Sequence, residues 1–353
     1  MAYNPNKAIH PGRVIAESVD REGITQKSLS ERTGISEKHL SQIINGEASI
    51  TVETALALEN ALGGSASFWL NLEKDYQETK ARIERTAALK DEIGILSTFP
   101  YQELARRGYV EQTANKERRV ENLWKFFGVN SLQYVAITES VAFRTRPTES
   151  VRAETIAAWL RCGELEARKQ HLPPYSESKL RENLRGIKTL SVENPEVYSA
   201  RTMQLLNEAG VALVFMAHFA GSGVSGAVRW INKVPVIQLS LYYSWADIFW
   251  FNLFHEIGHL LLHGRKGRFL EFDRKELAVA RSKEDEADEF ATNELIPPKR
   301  YAELLEGPLS RKNIADFASN LGIHPGIVGG RLCHDKKIGW NAVSTLRTRL
   351  TLV

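Results

Sequence analysis

Residues 245–263 read WADIFWFNLFHEIGHLLLH, with His255-Glu256-Ile257-Gly258-His259 near their centre. Residues four apart share one face of a helix, so both imidazoles can reach a single ion. Phe251, Phe254, Ile257, Leu261 and Leu262 recur at helical spacing, which predicts a largely buried helix. A buried pair of histidines beside a glutamate needs partners, and a metal supplies them. Two neutral imidazoles and a carboxylate suit Zn2+ and leave one position for water. Glu256 follows His255 directly and is placed to take that water's proton.

A third protein ligand is expected downstream, where residues 283–291 form a second helical pattern with Ala287, Phe290 and Ala291 on its apolar side. Glu286 precedes that stripe and is favoured; Glu289 shares its side of the helix, and Glu284, Asp285 and Asp288 are rivals. Most of these five acids must belong to a solvated face. The sequence HEIGHLLLH, the D-E-A-D-E-F-A segment and Ile296-Pro297-Pro298 together resemble the ImmA/IrrE family of zinc metallopeptidases over about residues 200–300. The resemblance implies His255, His259 and Glu286 as Zn2+ ligands and Glu256 as catalytic base. The chain departs from the family at Phe251-Asn252-Leu253-Phe254, where an Arg-Phe-Thr-Leu-Ala type run is common.

Ahead of this helix, residues 211–217, 225–231 and 234–240 read as strands, with a Gly-Ser-Gly turn at 221–223 and Pro235 at a strand start. Gly221, Gly223 and Gly226 do not form a phosphate loop, because no Gly-Lys-Ser/Thr follows. In zincin-like peptidases an edge strand of such a sheet binds an extended substrate. The resemblance makes Gly226, Ala227, Val228, Arg229 and Trp230 the candidate strand here, by β-addition. His263 is read as a surface histidine, and His218 and His324 as candidates for stabilising an oxyanion.

At the other end of the chain, residues 25–33 read as a short helix, Gly34-Ile35 as a turn, and 37–45 as a second helix capped by Ser36 and closed by Gly46. Leu29, Ile35, Leu40, Ile43 and Ile44 form the expected core of this helix-turn-helix, and a further helix follows over 51–62. His10-Pro11-Gly12, the run from Ser36 to Glu47, and Phe68-Trp69-Leu70-Asn71-Leu72 resemble HigA-type antitoxins of the Xre class across residues 8–76. The resemblance implies a homodimer on operator DNA. Its recognition helix would turn Glu37, Lys38, His39, Ser41 and Gln42 to the major groove, with Gln26 near the backbone. Residues 1–77 hold seven Lys/Arg against ten Asp/Glu, so the expected affinity is modest and strongly salt-dependent.

The whole chain, 353 residues with a net charge of +3, has room for two or three domains. The fold class expected is α+β. An all-α helix-turn-helix domain (1–77) precedes a charged linker helix and helical region (78–197). A zincin-like peptidase domain with a small mixed sheet and the HExxH helix (198–300) precedes a helical, helix-turn-helix-like tail (301–353). Trp124, Phe126 and Phe127 are read as core, and Lys116-Arg118-Arg119 and Arg144-Arg146 as solvated basic clusters. No apolar run reaches the length of a membrane helix and the N-terminus lacks a signal-peptide core, so no membrane partner and a cytoplasmic location are expected. Cys162 and Cys333 are too few for a disulfide framework. The expected function is a DNA-binding regulator with zinc-dependent endopeptidase activity toward a specific repressor or antitoxin protein. The alternative is a HigA-like antitoxin or repressor whose peptidase fold only senses. A third is a scaffold that sequesters a toxin.

Overall fold

The computed structural model describes residues 7–135, 153–220, 225–240, 245–264 and 274–349, without the side chains of 87, 88 and 274–281. The basic pair Arg144-Arg146 and the turn glycines Gly221 and Gly223 lie outside them. Two compact units divide the chain, Met1–Gly94 and Ile95–Val353.

The first unit is all helical: α1 (Gly12–Arg21), α2 (Gln26–Thr33), α3 (Glu37–Ile44), α4 (Val52–Leu62) and α5 (Ala66–Glu92). Side-chain oxygens satisfy the free amides at the helix starts. Thr25 accepts from Ser28 N, Ser36 from His39 N, Thr51 from Thr54 N and Ser65 from Phe68 N. Gly34, at φ +73°, makes the left-handed turn between α2 and α3 that a residue with Cβ would strain to adopt. Leu29, Leu40 and Ile43 meet Ile15, Val19, Leu58 and Trp69 in one core, with Ile35 and Ile44 packed at its margin. Residue 77, the expected end of the first domain, falls inside α5. Nothing between Ser65 and Glu92 breaks the helix, so the expected linker helix is the continuation of the one that starts at Ala66. The His10-Pro11-Gly12 run also has a packing reason: a Cβ on Gly12 would lie 2.1 Å from the carbonyl oxygen of Ile43, so only glycine lets α1 begin on the end of α3.

The second unit contains α6 (Tyr101–Arg106), α7 (Lys116–Phe127), α8 (Ala153–Ala167), α9 (Glu177–Thr189) and α10 (Pro195–Glu208) before its sheet. Of the three aromatic residues read as core, Trp124 and Phe126 are buried and Phe127 is half-buried. Among the described residues the sheet has three strands in the order β1-β3-β2: β1 (Ala212–Phe215) parallel to β3 (Val234–Leu239), and β2 (Gly226–Ile231) antiparallel to β3. Asn232 and Lys233, both at positive φ, turn β2 into β3. Pro235 faces Trp230 of β2 but lies outside the stretch paired with β1, which begins at Val236. Alternation sends Ile237 and Leu239 into the main core, while Gln238 donates from Nε2 to the carbonyl of Trp159 on α8.

Against the sheet lies α11 (Ala246–His263), followed by α12 (Arg274–Leu295), α13 (Pro298–Glu306), α14 (Arg311–Leu321), α15 (Pro325–His334) and the short α16 (Trp340–Val343). Phe249, Trp250, Leu253, Phe254, Ile257, Leu260 and Leu261 are all buried, so α11 is enclosed round most of its circumference; Leu262 is exposed. Each such side chain stabilises the fold by about 1.5–3 kcal/mol. The tail packs on the same core through Ile314, Ala318, Ile327, Val328 and Leu332. Among the described residues no helix is long and apolar enough to cross a membrane.

Two close approaches give a test of this packing. Gly12→Ala must push backbone aside and is expected to destabilise the first unit by at least about 2 kcal/mol. A Cβ on Gly258 would stand 3.0 Å from Phe290 Cδ1 and 3.3 Å from Ala287 Cα. Gly258→Leu is expected to cost the second unit roughly 1–3 kcal/mol. Denaturant unfolding of each variant measures both; unchanged midpoints would contradict the contacts.

Candidate metal centre

Helical spacing and one close helix–helix contact build the site. His255 and His259 lie one turn apart on α11, with their Nε2 atoms 2.9 Å from each other. The side chain that meets them from α12 is Glu284. Its Oε2 is 3.2 Å from His255 Nε2 and its Oε1 3.1 Å from His259 Nε2. Asp288, one turn further along α12, places Oδ1 2.7 Å from His255 Nδ1. His255 is 1 % exposed and Glu256 3 %.

This corrects the expectation that Glu286 joins the two histidines. Residues two apart on a helix point away from each other. Glu284, Ala287, Asp288 and Ala291 make one stripe at i, i+3, i+4 and i+7, and the two alanines are fully buried against α11. Glu286 is exposed. It accepts from Ser282 Oγ at 3.3 Å, and its Oε2 is 3.9 Å from His263 Nδ1. Asp285 and Glu289 are exposed as well. In the sequence Glu284 stands four residues before Asp288, with Ala287 and Ala291 in the rest of the stripe, but that pattern does not by itself choose it over its rivals.

The donor set fits a metal. A carboxylate 2.7 Å from Nδ1 holds a proton on that nitrogen and so aims Nε2 at His259 and Glu284. The two Nε2 atoms lie 2.9 Å from each other and 3.1–3.2 Å from the two Glu284 oxygens, a cluster of lone pairs that needs shared protons or a cation to offset its repulsion. Donors at zinc distances in tetrahedral geometry stand about 3.3 Å apart, close to this spacing. Burial pushes the Glu284 carboxyl up, but hydrogen bonds from His255 and His259 outweigh it and hold the group well below the usual carboxylate range. Among the described residues these three are the group positioned to share an ion.

Glu256 faces the sheet. A Cβ on Gly226 would stand 2.7 Å from Glu256 Oε1, so glycine at this position lets β2 pass against the carboxylate. Gly226 to Trp230 form most of β2, and no further strand pairs with β2 among the described residues. Val228 and Trp230 pack toward the main core, Ala227 is buried, and Arg229 donates to the carbonyl of Leu160.

Three other histidines take specific places. His263 is not at the surface: its side chain is 8 % exposed, and Nε2 lies 3.1 Å from the Lys283 carbonyl, tying the end of α11 to α12. His324 caps α15, accepting from Gly326 N at Nδ1, and its Nε2 is 3.2 Å from Thr348 Oγ1. His218 lies beyond β1 in a stretch that Arg107 holds by donating to the carbonyls of Ala217 and His218. Both cysteines are buried free thiols, and burial pushes Cys162 up to about 12. In the first unit, Gln26, Glu37 and Lys38 are exposed, while His39, Ser41 and Gln42 are half-buried along α3.

Substitution separates the two glutamates. Glu284→Gln is expected to weaken Zn2+ binding more than about 100-fold, and Glu286→Gln to leave it within about twofold. Competition against a chromophoric chelator measures both, and the reverse order would return the role to Glu286.

Residues 15–69 match the family description of helix-turn-helix domains, and residues 215–332 that of IrrE N-terminal-like domains of the peptidase M78 family. Virulence-associated protein I of Dichelobacter nodosus is 32 % identical over 83 residues, 23 % of this chain and 77 % of that protein. Antitoxin HigA-1 of Vibrio cholerae is 36 % identical over 73 residues, 20 % of this chain and 69 % of that protein. A solved addiction module antidote protein of a HigA family from Coxiella burnetii is 31 % identical, covering 24 % of this chain and 95 % of its own, with a TM-score of 0.23. The chain therefore belongs to the HigA-like helix-turn-helix family through its N-terminal domain, and joins to it an IrrE N-terminal-like domain of the M78 peptidases.

Proposed function

We propose that the protein is a DNA-binding regulator with zinc-dependent endopeptidase activity toward a specific repressor or antitoxin protein. The observation that carries this reading is the convergence of His255, His259 and Glu284 on one point, with the neighbouring Glu256 against Gly226 of β2. Zinc held by these three side chains would acidify a bound water and polarise a substrate carbonyl. Asp288 orients His255 through Nδ1. Glu256 takes a proton from the attacking water and passes it to the departing amine. An extended substrate segment pairs along β2, so main-chain hydrogen bonds align it beside Glu256.

In the N-terminal domain, α3 is the proposed recognition helix, with Lys38, His39, Ser41 and Gln42 toward base edges, Glu37 at the helix start, and Gln26 near phosphate. Two copies would read two half-sites. A second reading takes support from the similarity to an antitoxin: the N-terminal domain represses an operator or holds a toxin, and the peptidase fold only senses.

Incubated with Zn2+ and candidate repressors, the full chain is expected to make one defined cut. Glu256→Gln should slow it by about 100-fold or more while Zn2+ still binds. Equal cutting by that variant ends the peptidase reading, and stoichiometric zinc with no cut selects the sensor. Gel shifts across a salt series test the DNA limb. Affinity should fall steeply with salt, Gln42→Ala should relax sequence preference, and Lys38→Ala should weaken binding and lower the salt slope by about one if it meets phosphate. Binding unaffected by both substitutions removes α3 as the reading helix.

A further inference from the structure

The start of α11 is held by a segment about 100 residues downstream. Trp245, in the N-cap position, offers no side-chain cap, and the amide of Ala246 instead donates to the carbonyl of Thr348 at 3.0 Å. Arg347 grips Asp247 in the first turn of α11. Its Nε is 3.0 Å from both carboxylate oxygens, and the terminal guanidinium nitrogen is 2.9 Å from Oδ2, with the two side chains 11 % and 6 % exposed. The guanidinium also lies 4.3 Å from the Trp245 ring and 4.6 Å from that of Trp340. Arg349 forms a β-bridge with Trp245. On the far side, a Cβ on Gly330 of α15 would lie 2.7 Å from Asp247 Oδ2, so α15 closes on the same carboxylate.

At its other end, α11 is seated without slack. A Cβ on Gly226 would stand 2.7 Å from Glu256 Oε1 and one on Gly258 3.0 Å from Phe290 Cδ1, so a side chain at either place would make its neighbours shift. A slide along the helix axis would move Glu256 off β2 and the imidazoles off Glu284 together. Apolar core contacts oppose such a slide without a direction of their own, and the bonds of His255 to Asp288 and of His263 to the Lys283 carbonyl act at the far end of the helix. The forked ion pair and the carbonyl cap are directional, and they act eight residues before His255, about 12 Å along the axis.

We propose that the strap Arg347–Arg349 is a positioning element for the metal centre: Arg347, acting through Asp247, sets where α11 lies along its axis and so sets the geometry of a site it does not touch. The proposal rests on the metal-centre reading above. The test uses the full chain as wild type, Arg347→Ala and Arg347→Lys. The lysine keeps the charge but loses the fork and the stacking, and it carries the test if the alanine variant fails to fold. Zn2+ affinity is read by chelator competition, and amide exchange of the zinc-free protein is followed across 246–260.

The expected result is a loss of Zn2+ affinity of about tenfold, with faster exchange concentrated in the first turns of α11 and a melt that stays cooperative. Zn2+ affinity within about twofold of wild type in folded Arg347→Lys overturns the proposal. So does faster exchange spread evenly over the unit, which marks general destabilisation. If wild type binds no Zn2+, the metal-centre reading fails on its own, and local against uniform exchange still decides whether the strap holds α11.

Discussion

The approach of α11 to α12 at Gly258 is the contact on which the site depends. Four groups that would be costly to bury singly, two imidazoles and two carboxylates, become compatible because they face one another across it. The contact is close because its residues are small: Gly258 on one side, Ala287 and Ala291 on the other. A larger side chain there would part the helices by more than the few tenths of an ångström that separate the present donor spacing from one suited to zinc.

The same economy recurs on the opposite face. The small sheet is packed between α8 and α11, which cover its apolar side chains. Its antiparallel member, β2, presents glycine where Glu256 stands. One helix thus carries a metal-facing side with the two histidines and a sheet-facing side with the glutamate. Adjacent residues on a helix differ by about 100° in direction, so His255 and Glu256 serve different neighbours although they adjoin in sequence.

The N-terminal unit rests on different physics. Its helices are short, mostly eight to eleven residues, and such helices are marginal in isolation. Capping hydroxyls at Thr25, Ser36, Thr51 and Ser65 and a small core around Leu29, Leu40, Ile43 and Trp69 make them persist. The buried Glu73 carboxylate adds a tether across the unit, accepting from the amide of Ile50 at 3.0 Å ahead of α4. A surface that carries more acid than base is a poor general attractor for phosphate, which places the weight of any recognition on the few side chains along α3.

Local chemistry, written in the sequence alone, determined the elements. The HExxH helix, the helix-turn-helix with its caps and left-handed glycine, and the hairpin before α11 were all legible, because periodicity and turn residues act over a few positions. The choice among five acids on α12 was not made locally. Ala287, Phe290 and Ala291 marked an apolar side but not its centre line, and only the packing of α12 on α11 turned Glu284 inward and Glu286 out. The clamp of Arg347 on Asp247, the capping role of His324 and the burial of His263 likewise join residues far apart in the chain or depend on a neighbouring helix. Such pairings leave no period in a sequence; they exist only once tertiary contacts have fixed which faces meet.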